Sequence, residues 1–294
     1  MPEQYNKNYL LFFILFVMVT MATFFFIGDN KQKENERLAE ERLSKIQTTL
    51  NEVPFIAKAV SVYNITKNQK LYGKNDEVAL PIASLAKIIS VAVGLNNHKE
   101  EEIISISNNA VKQTGDFGIF ANEKWRVGDL AKFTLLVSAN DGAYALLEGD
   151  ENFIKKMNDK AKRIGTQNTL FVNATGLDID KHKIGASATA EDVNTMAVYA
   201  WKSHPEIFGA TALPELTLTS ESGFVHNFKN TNVIVKKIPN LLFSKTGFTD
   251  IAGGNLSIIF KDLKGDNLAI TILGSTFEGR FEDMEKIVNV LYNF

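Results

Sequence analysis

Residues 10–27, Leu-Leu-Phe-Phe-Ile-Leu-Phe-Val-Met-Val-Thr-Met-Ala-Thr-Phe-Phe-Phe-Ile, carry no charge. In lipid a single segment must satisfy its own backbone N–H and C=O groups, which leaves a helix as its structure. The run reaches the minimum of roughly 17 residues that a spanning helix needs. A cleaved signal peptide competes with this reading. Its usual short apolar core and small-x-small cleavage site are missing, because bulky Phe24-Phe25-Phe26-Ile27 occupy the exit. Residues 1–28 therefore read as an uncleaved transmembrane signal anchor. Lys7 precedes the run, whereas Lys31, Lys33, Arg37, Arg42 and Lys45 follow it. That asymmetry places the following chain in the cytoplasm by the positive-inside tendency, yet large domains also translocate regardless of flanking charge. Charge alone leaves the side open.

Residues 29–52 are rich in Lys, Glu, Arg and Gln and read as a charged helical stalk. Residues 53–294 read as one domain. The whole chain is 45% hydrophobic and 22% charged with a net charge of −2, an ordinary globular balance with core enough for one large domain. Nucleic-acid binding, which usually leaves a basic excess, is not expected. The chain has no cysteine, which excludes disulfides, thiolate catalysis and cysteine-ligated zinc. Its four histidines, His98, His182, His204 and His226, are scattered and form no His-Glu-x-x-His pair. They read as surface or loop residues, and neither a metal nor a cofactor is expected.

Ala57–Ile65 alternates apolar and polar residues as a strand does, with Lys70–Tyr72 as its hairpin partner. Helical patterns cover Ser84–Leu95, Val127–Glu148, Asn152–Ile164 and Ala190–Lys202. Strand-like runs follow at Leu241–Lys245, Gly254–Phe260 and Asn267–Leu273, the last two joined through Lys264-Gly265-Asp266, and an amphipathic stretch, Phe281–Leu291, closes the chain. Strands at both ends with helices between them predict an α/β fold of the α+β kind: an antiparallel central sheet completed late, flanking helices and an inserted helical layer.

Three short motifs carry the chemistry. Ser84-Leu85-Ala86-Lys87 is the one Ser-x-x-Lys in the chain, and Lys245-Thr246-Gly247 the one Lys-Thr-Gly. Ser-x-Asn occurs at Ser138-Ala139-Asn140 and at Ser107-Asn108-Asn109; the first follows the apolar Phe133–Val137 and is preferred. On a helix, positions i and i+3 share a face, so Ser84 and Lys87 meet. A serine hydroxyl needs a base, and a desolvated lysine can supply it. Lys87 must then be neutral, through burial and a second cation, for which Lys245 is the natural candidate. Ser138 and Asn140 are expected on the opposite wall, the hydroxyl relaying a proton and the amide fixing Lys87 or the substrate. Lys245 and Thr246 would meet a substrate carboxylate, Gly247 would let the substrate approach the strand, and the N–H groups of Ser84 and Phe248 would form an oxyanion hole. Asp141 is expected to brace its helix, and Asn173, Gly176 and Asn232 to shape loops.

Together the motifs resemble those of penicillin-binding proteins and serine β-lactamases. The wording around them is similar to the low-molecular-mass D-alanyl-D-alanine carboxypeptidases. It includes Leu80–Ile88, Leu136–Ala143, Phe171–Asp178, Asn230-Thr231-Asn232 and Lys245–Gly254, a likeness over roughly 55–294. The resemblance implies a β-lactamase/transpeptidase-like fold and acyl transfer on peptidoglycan stem peptides ending in D-Ala-D-Ala. Ser84 would be the nucleophile and Lys87 its base, with β-lactams as covalent inhibitors. It also implies a domain outside the cytoplasmic membrane. The β-rich C-terminal domain of many members has no counterpart before Phe294, so the N-terminal span is expected to take over the anchoring. Carboxypeptidase and endopeptidase readings stay open, and Lys112–Glu123 departs from the usual wording. A class A β-lactamase would need Ser-Asp-Asn and a Glu-x-x-Leu-Asn loop, which the chain lacks. A non-catalytic sensor would show degenerate motifs, whereas all three are intact.

Overall fold

A computed structural model describes residues 3–115 and 117–294. Met1 and Pro2, at the head of the 1–28 segment, and Asp116, within Lys112–Glu123, lie outside the described residues, as do the side chains of 3–8 and 22. Helix α1 spans Glu3–Glu52 without interruption, so the expected span and stalk form one helix. Its residues from Tyr9 on form a helix long and apolar enough to cross a membrane. The chain divides into two compact units, the second being Leu50–Asn293.

That unit opens with β1 (Ala59–Asn64), β2 (Gln69–Lys74) and β3 (Leu80–Pro81), then a 3₁₀ turn, Ala83–Ala86, running into α2 (Lys87–Asn97). Next come β4 (Ile103–Ser105), β5 (Lys124–Arg126), α3 (Val127–Leu136), α4 (Asn140–Ala145), α5 (Phe153–Arg163), β6 (Leu170–Phe171), β7 (Ala186–Ala188) and α6 (Ala190–Ser203). The chain continues through α7 (Pro205–Gly209), β8 (Glu215–Thr219) and β9 (Val225–Lys229). It ends on β10 (Leu241–Thr249), β11 (Gly253–Lys261), β12 (Asn267–Ser275) and α8 (Gly279–Asn293).

The main sheet has the order β10-β11-β12-β1-β2, antiparallel throughout. The early hairpin joins the late strands through β1 and β12, in register from Ala59↔Leu273 to Asn64↔Leu268. This is the sheet completed late that the sequence predicts. The turn into β12 is tied by Asp262, whose Oδ1 accepts from Lys264 N and Asp266 N, both at 2.9 Å. Helix α2 is buried on every side, as Ile88, Ile89, Val91, Ala92 and Val93 require, and forms the centre of the inserted layer. Helix α6 is started by Thr189, whose Oγ1 accepts from Asp192 N at 2.9 Å, and packs between that layer and the sheet.

Two expected elements differ. The helix predicted over Val127–Glu148 breaks after Leu136. Ala139 N reaches Thr134 O at 3.1 Å, the six-to-one bond of a helix stop, and Ser138 takes the left-handed position between them with φ +64°. The strand predicted to end at Lys245 runs on to Thr249, so the Lys-Thr-Gly triplet lies mid-strand. His226, read as a surface residue, is buried instead. Its Nε2 sits 2.6 Å from Glu123 Oε1, among the rings of Trp125 and Phe228.

Candidate active site

Ser84 lies in the 3₁₀ turn and Lys87 at the first position of α2, one turn on. Lys87 is fully buried, and its Nζ has three partners. They are Ser84 Oγ at 2.8 Å, Asn140 Oδ1 at 2.7 Å and Thr175 O at 3.1 Å. Two of the three can only accept. A neutral amine has two N–H donors and one lone pair, so donation to Asn140 and Thr175 turns the lone pair toward the Ser84 hydroxyl. Burial pulls Lys87 down to about 7, against the raising influence of the Asp141 carboxylate.

Asn140 is held from its other end, Nδ2 donating to Thr114 O at 2.7 Å. The Thr175 carbonyl is delivered by a loop that Asn173 shapes, its Oδ1 accepting from Thr175 N and from Gly176 N at 2.7 Å. Gly176 has φ +75°, and a Cβ there would stand 1.9 Å from Ala83 O. The loop and the serine turn interlock at a spot where no side chain fits. Asp141 Oδ1 accepts from Gly142 N at 2.6 Å, the bracing role expected for it. Ser107, the other Ser-x-Asn, accepts from Asn109 N and Ala110 N and starts a turn.

Opposite stands β10. Lys245 Nζ donates to Ser138 Oγ and to Thr246 O, both at 2.8 Å. The break in the predicted helix is thus what turns Ser138 toward the strand. Thr246 Oγ1 shares a hydrogen bond with Thr231 Oγ1 at 2.7 Å. A Cβ on Gly247 would meet Ile82 O at 2.8 Å and Ser84 N at 3.2 Å. The chain's own serine turn therefore already demands a glycine, and this packing adds to the substrate-side reason given above. It also sets Ser84 N beside the Gly247–Phe248 link. Phe248 is 42% exposed and meets Phe277 edge-on at 5.2 Å.

The expected electrostatics is reversed in one respect. The pressure on Lys87 comes from burial, and the second lysine is the one that feels its neighbours. Lys245 is lowered well below the ordinary lysine value, first by burial, then by Lys87 and then by Arg280. Arg280 was not singled out by any sequence motif. It sits in the first turn of α8, buried, with Nη1 on Gly247 O at 2.8 Å and its guanidinium over the Phe277 and Phe281 rings. Burial lowers it to about 10, which leaves it charged at neutral pH. Thr175 and Thr231 fall in stretches that carry the resemblance but have no role read from them, and Thr114 carries no signal at all. Thr114 and Thr175 act through backbone carbonyls, which sequence does not mark. Among the described residues no cluster of three or more His, Asp or Glu is arranged to hold a metal.

A sequence profile of the D-alanyl-D-alanine carboxypeptidase family, Peptidase_S11, matches residues 46–274. The chain is 32% identical over 197 residues to a D-alanyl-D-alanine endopeptidase of Pseudomonas aeruginosa, covering 62% of this chain and 60% of that protein. It is 28% identical over 261 residues to D-alanyl-D-alanine carboxypeptidase DacF of Bacillus subtilis, covering 83% and 64%. The chain thus spans less than two thirds of these relatives' lengths. Penicillin-binding protein D2 of Listeria monocytogenes, solved with ampicillin bound, superposes with a TM-score of 0.67 at 31% identity, over 82% of this chain and 99% of that one. With Ser84, Lys87, Ser138, Asn140 and Lys245 gathered at one site inside the matched span, this chain belongs to the D-alanyl-D-alanine carboxypeptidase family.

Proposed function

We propose that the chain is a membrane-anchored serine-type D-Ala-D-Ala carboxypeptidase acting on peptidoglycan stem peptides. The observation that carries this reading is the buried Lys87 amine 2.8 Å from Ser84 Oγ, with its two N–H donors already occupied. The Ser84 proton passes to Lys87 Nζ as Oγ bonds to the carbonyl carbon of the penultimate D-Ala. The N–H groups of Ser84 and Phe248 hold the oxyanion. The proton on Lys87 then passes through the Ser138 hydroxyl to the leaving nitrogen, the C–N bond breaks, and D-Ala departs. Water gives a proton to Lys87 Nζ as its oxygen bonds to the acyl carbon. The bond from that carbon to Ser84 Oγ then breaks, Oγ takes the proton from Lys87, and the shortened peptide leaves. Lys245 and Thr246 hold the terminal carboxylate. β-Lactams acylate the same serine and are covalent inhibitors in this reading.

A D-Ala-D-Ala endopeptidase is the second reading, favoured by the 32% identity to an endopeptidase. The apolar run of α1 serves as the anchor, with the domain on the outer side of the cytoplasmic membrane where the substrate lies.

The test is labelling of the full chain in detergent by a fluorescent penicillin, beside Ser84→Ala. Labelling of the unsubstituted chain and none of the variant is expected; equal labelling of both sinks the nucleophile assignment. Free D-Ala released from a pentapeptide, against cleavage of a cross-linked dimer, then separates the two peptidase readings.

A further inference from the structure

A cleft of about 570 Å³ lies between the β1–β2 hairpin and α6, toward the sheet edge away from β10. Ser61 of β1 is in register with Thr271, Thr271 with Ser257 and Ser257 with Lys245. Three strand spacings, about 14 Å, therefore separate the cleft floor from the candidate active site. The volume falls within the ~300–1,000 Å³ typical of small-molecule sites.

The floor is polar and fixed. Asn194 is buried; its Nδ2 donates to Ser61 O at 3.3 Å while its Oδ1 accepts from Thr271 Oγ1 at 2.7 Å. Two half-buried rings, Tyr63 from the strand and Tyr199 from the helix, line the cleft with their tips engaged. The Tyr63 hydroxyl donates to Asn68 Oδ1, and Lys160 Nζ donates to Tyr199 OH at 2.9 Å. Lys160 Nζ also stands over the Tyr199 ring, 5.1 Å from its centroid, so the contact surface offered is the Tyr63 ring and the opposite face of Tyr199. The lining carries three cations, Lys70, Arg163 and Lys202, against one carboxylate, Glu191. Lys70 is matched by Asp76 at 2.6 Å and Glu191 at 3.5 Å. Glu77 also lies 3.6 Å from Lys70, so Lys70 is fully matched, and the cationic rim is formed by Arg163 and Lys202, both exposed at the lining.

Ring faces, a floor of amide and hydroxyl groups, and a cationic rim suit a saccharide ring that bears a carboxylate. An apolar ligand would desolvate the floor without bonding to it, and a small inorganic anion would use neither ring. We infer that this cleft is a second binding site, for an acidic amino sugar of the kind found in cell-wall glycan. The amino-sugar identity rests on the cell-wall reading proposed above; the ring-and-cation chemistry of the cleft does not.

The test uses the full chain carrying Ser84→Ala in detergent, with N-acetylmuramic acid as probe. N-acetylglucosamine, which lacks the lactyl carboxylate, serves as its neutral counterpart. Saturation-transfer NMR is expected to show contact for the acidic sugar. Affinity for the acidic sugar should fall about fivefold to tenfold in Lys202→Glu and in Arg163→Glu, and the neutral sugar should bind the protein with both cations kept about fivefold to tenfold more weakly than the acidic one does. No transfer, equal binding of the two sugars, or binding unchanged in both charge-reversed proteins would each overturn the proposal. Both substitutions are at exposed positions, and penicillin labelling of the same variants with Ser84 restored checks that they fold. The two readings fail separately. Sugar binding without acylation removes the peptidase and leaves the cleft as a saccharide site, whereas acylation without sugar binding does the reverse.

Discussion

Lys87 and Lys245 are the same residue type, both buried, on facing walls of one site, yet their surroundings differ. Lys87 rises from a helix into a nest of two obligate acceptors and one hydroxyl, with the Asp141 carboxylate near enough to raise its proton affinity. Lys245 rises from a strand, meets a hydroxyl and its neighbour's carbonyl, and has Lys87 and Arg280 as charged company. The first environment specifies a neutral amine with its lone pair aimed. The second holds an amine whose charged form burial and two neighbouring cations disfavour, and which an arriving carboxylate would favour. Burial alone sets neither role; the partners do.

The largest effect expected is from Lys87→Met, which removes the amine and keeps most of the volume. Acylation by a fluorescent penicillin should fall about 10²–10⁴-fold, the range for a positioned base, with the circular dichroism spectrum kept. Near-normal labelling would break the contrast between the two lysines. The same pair of proteins reports the linkage. Lys87 holds its proton less tightly folded, at about 7, than unfolded, near 10.5, so the unfolded chain binds more protons between those values. The stability of the unsubstituted chain relative to Lys87→Met should therefore increase with pH from about 7 toward 10, measured as the midpoint of urea unfolding.

Next in size is Asn140→Asp, which replaces a neutral acceptor on Lys87 Nζ with a carboxylate. The amine is then held protonated, and the rising limb of the acylation–pH profile should move about one to three units to higher pH. In the unsubstituted chain that limb should fall about tenfold per unit below pH about 7. A profile unmoved by Asn140→Asp would show that Lys87 does not carry the titration.

Lys245→Met tests the other wall. Loss of a charge-assisted hydrogen bond of about 1.5–3 kcal/mol should raise KM for a carboxylate-ended peptide about tenfold to hundredfold. The corresponding peptide amide should respond far less. The smallest change in stability is expected from Ser138→Gly, which relieves a left-handed residue worth about 1 kcal/mol while deleting the hydroxyl on Lys245. Thermal stability should hold or rise by a few degrees as acylation falls; a drop in both would mean that the Ser138–Lys245 bond outweighs the strain.

Much of this was legible in the chain itself. The sheet and most helices could be read because apolar alternation and 3.6-residue spacing are local properties, as in Gly254–Phe260 and Asn152–Ile164. The helix break at Ser138 escaped because the apolar pattern runs unbroken from Phe133 to Val137, and a serine rarely takes the left-handed place that a glycine would announce. The β8–β9 hairpin carries its own signal, Leu216 and Leu218 alternating with polar residues just before Val225–Lys229, and went unread. The β4–β5 pair escaped because its three-residue strands are too short for a pattern and meet across residues 106–123. His226 was misplaced for the same reason, since the Glu123 that accompanies it inward is 103 residues away.

What the sequence determined by itself was the inventory and its order: one apolar run long enough to span a membrane, and three motifs supplying two serines, two lysines, an asparagine and a threonine. Those follow from composition and spacing, which need no fold to be read. The tertiary structure decided which groups meet. It brought the carbonyls of Thr175 and Thr114, 61 residues apart, to the two sides of one lysine–asparagine pair. It set Arg280 beneath Gly247 and closed a polar cleft between β1 and α6. Backbone carbonyls have no sequence signature, and desolvation belongs to a packed interior, so the state of Lys87 exists only once the chain has folded around it.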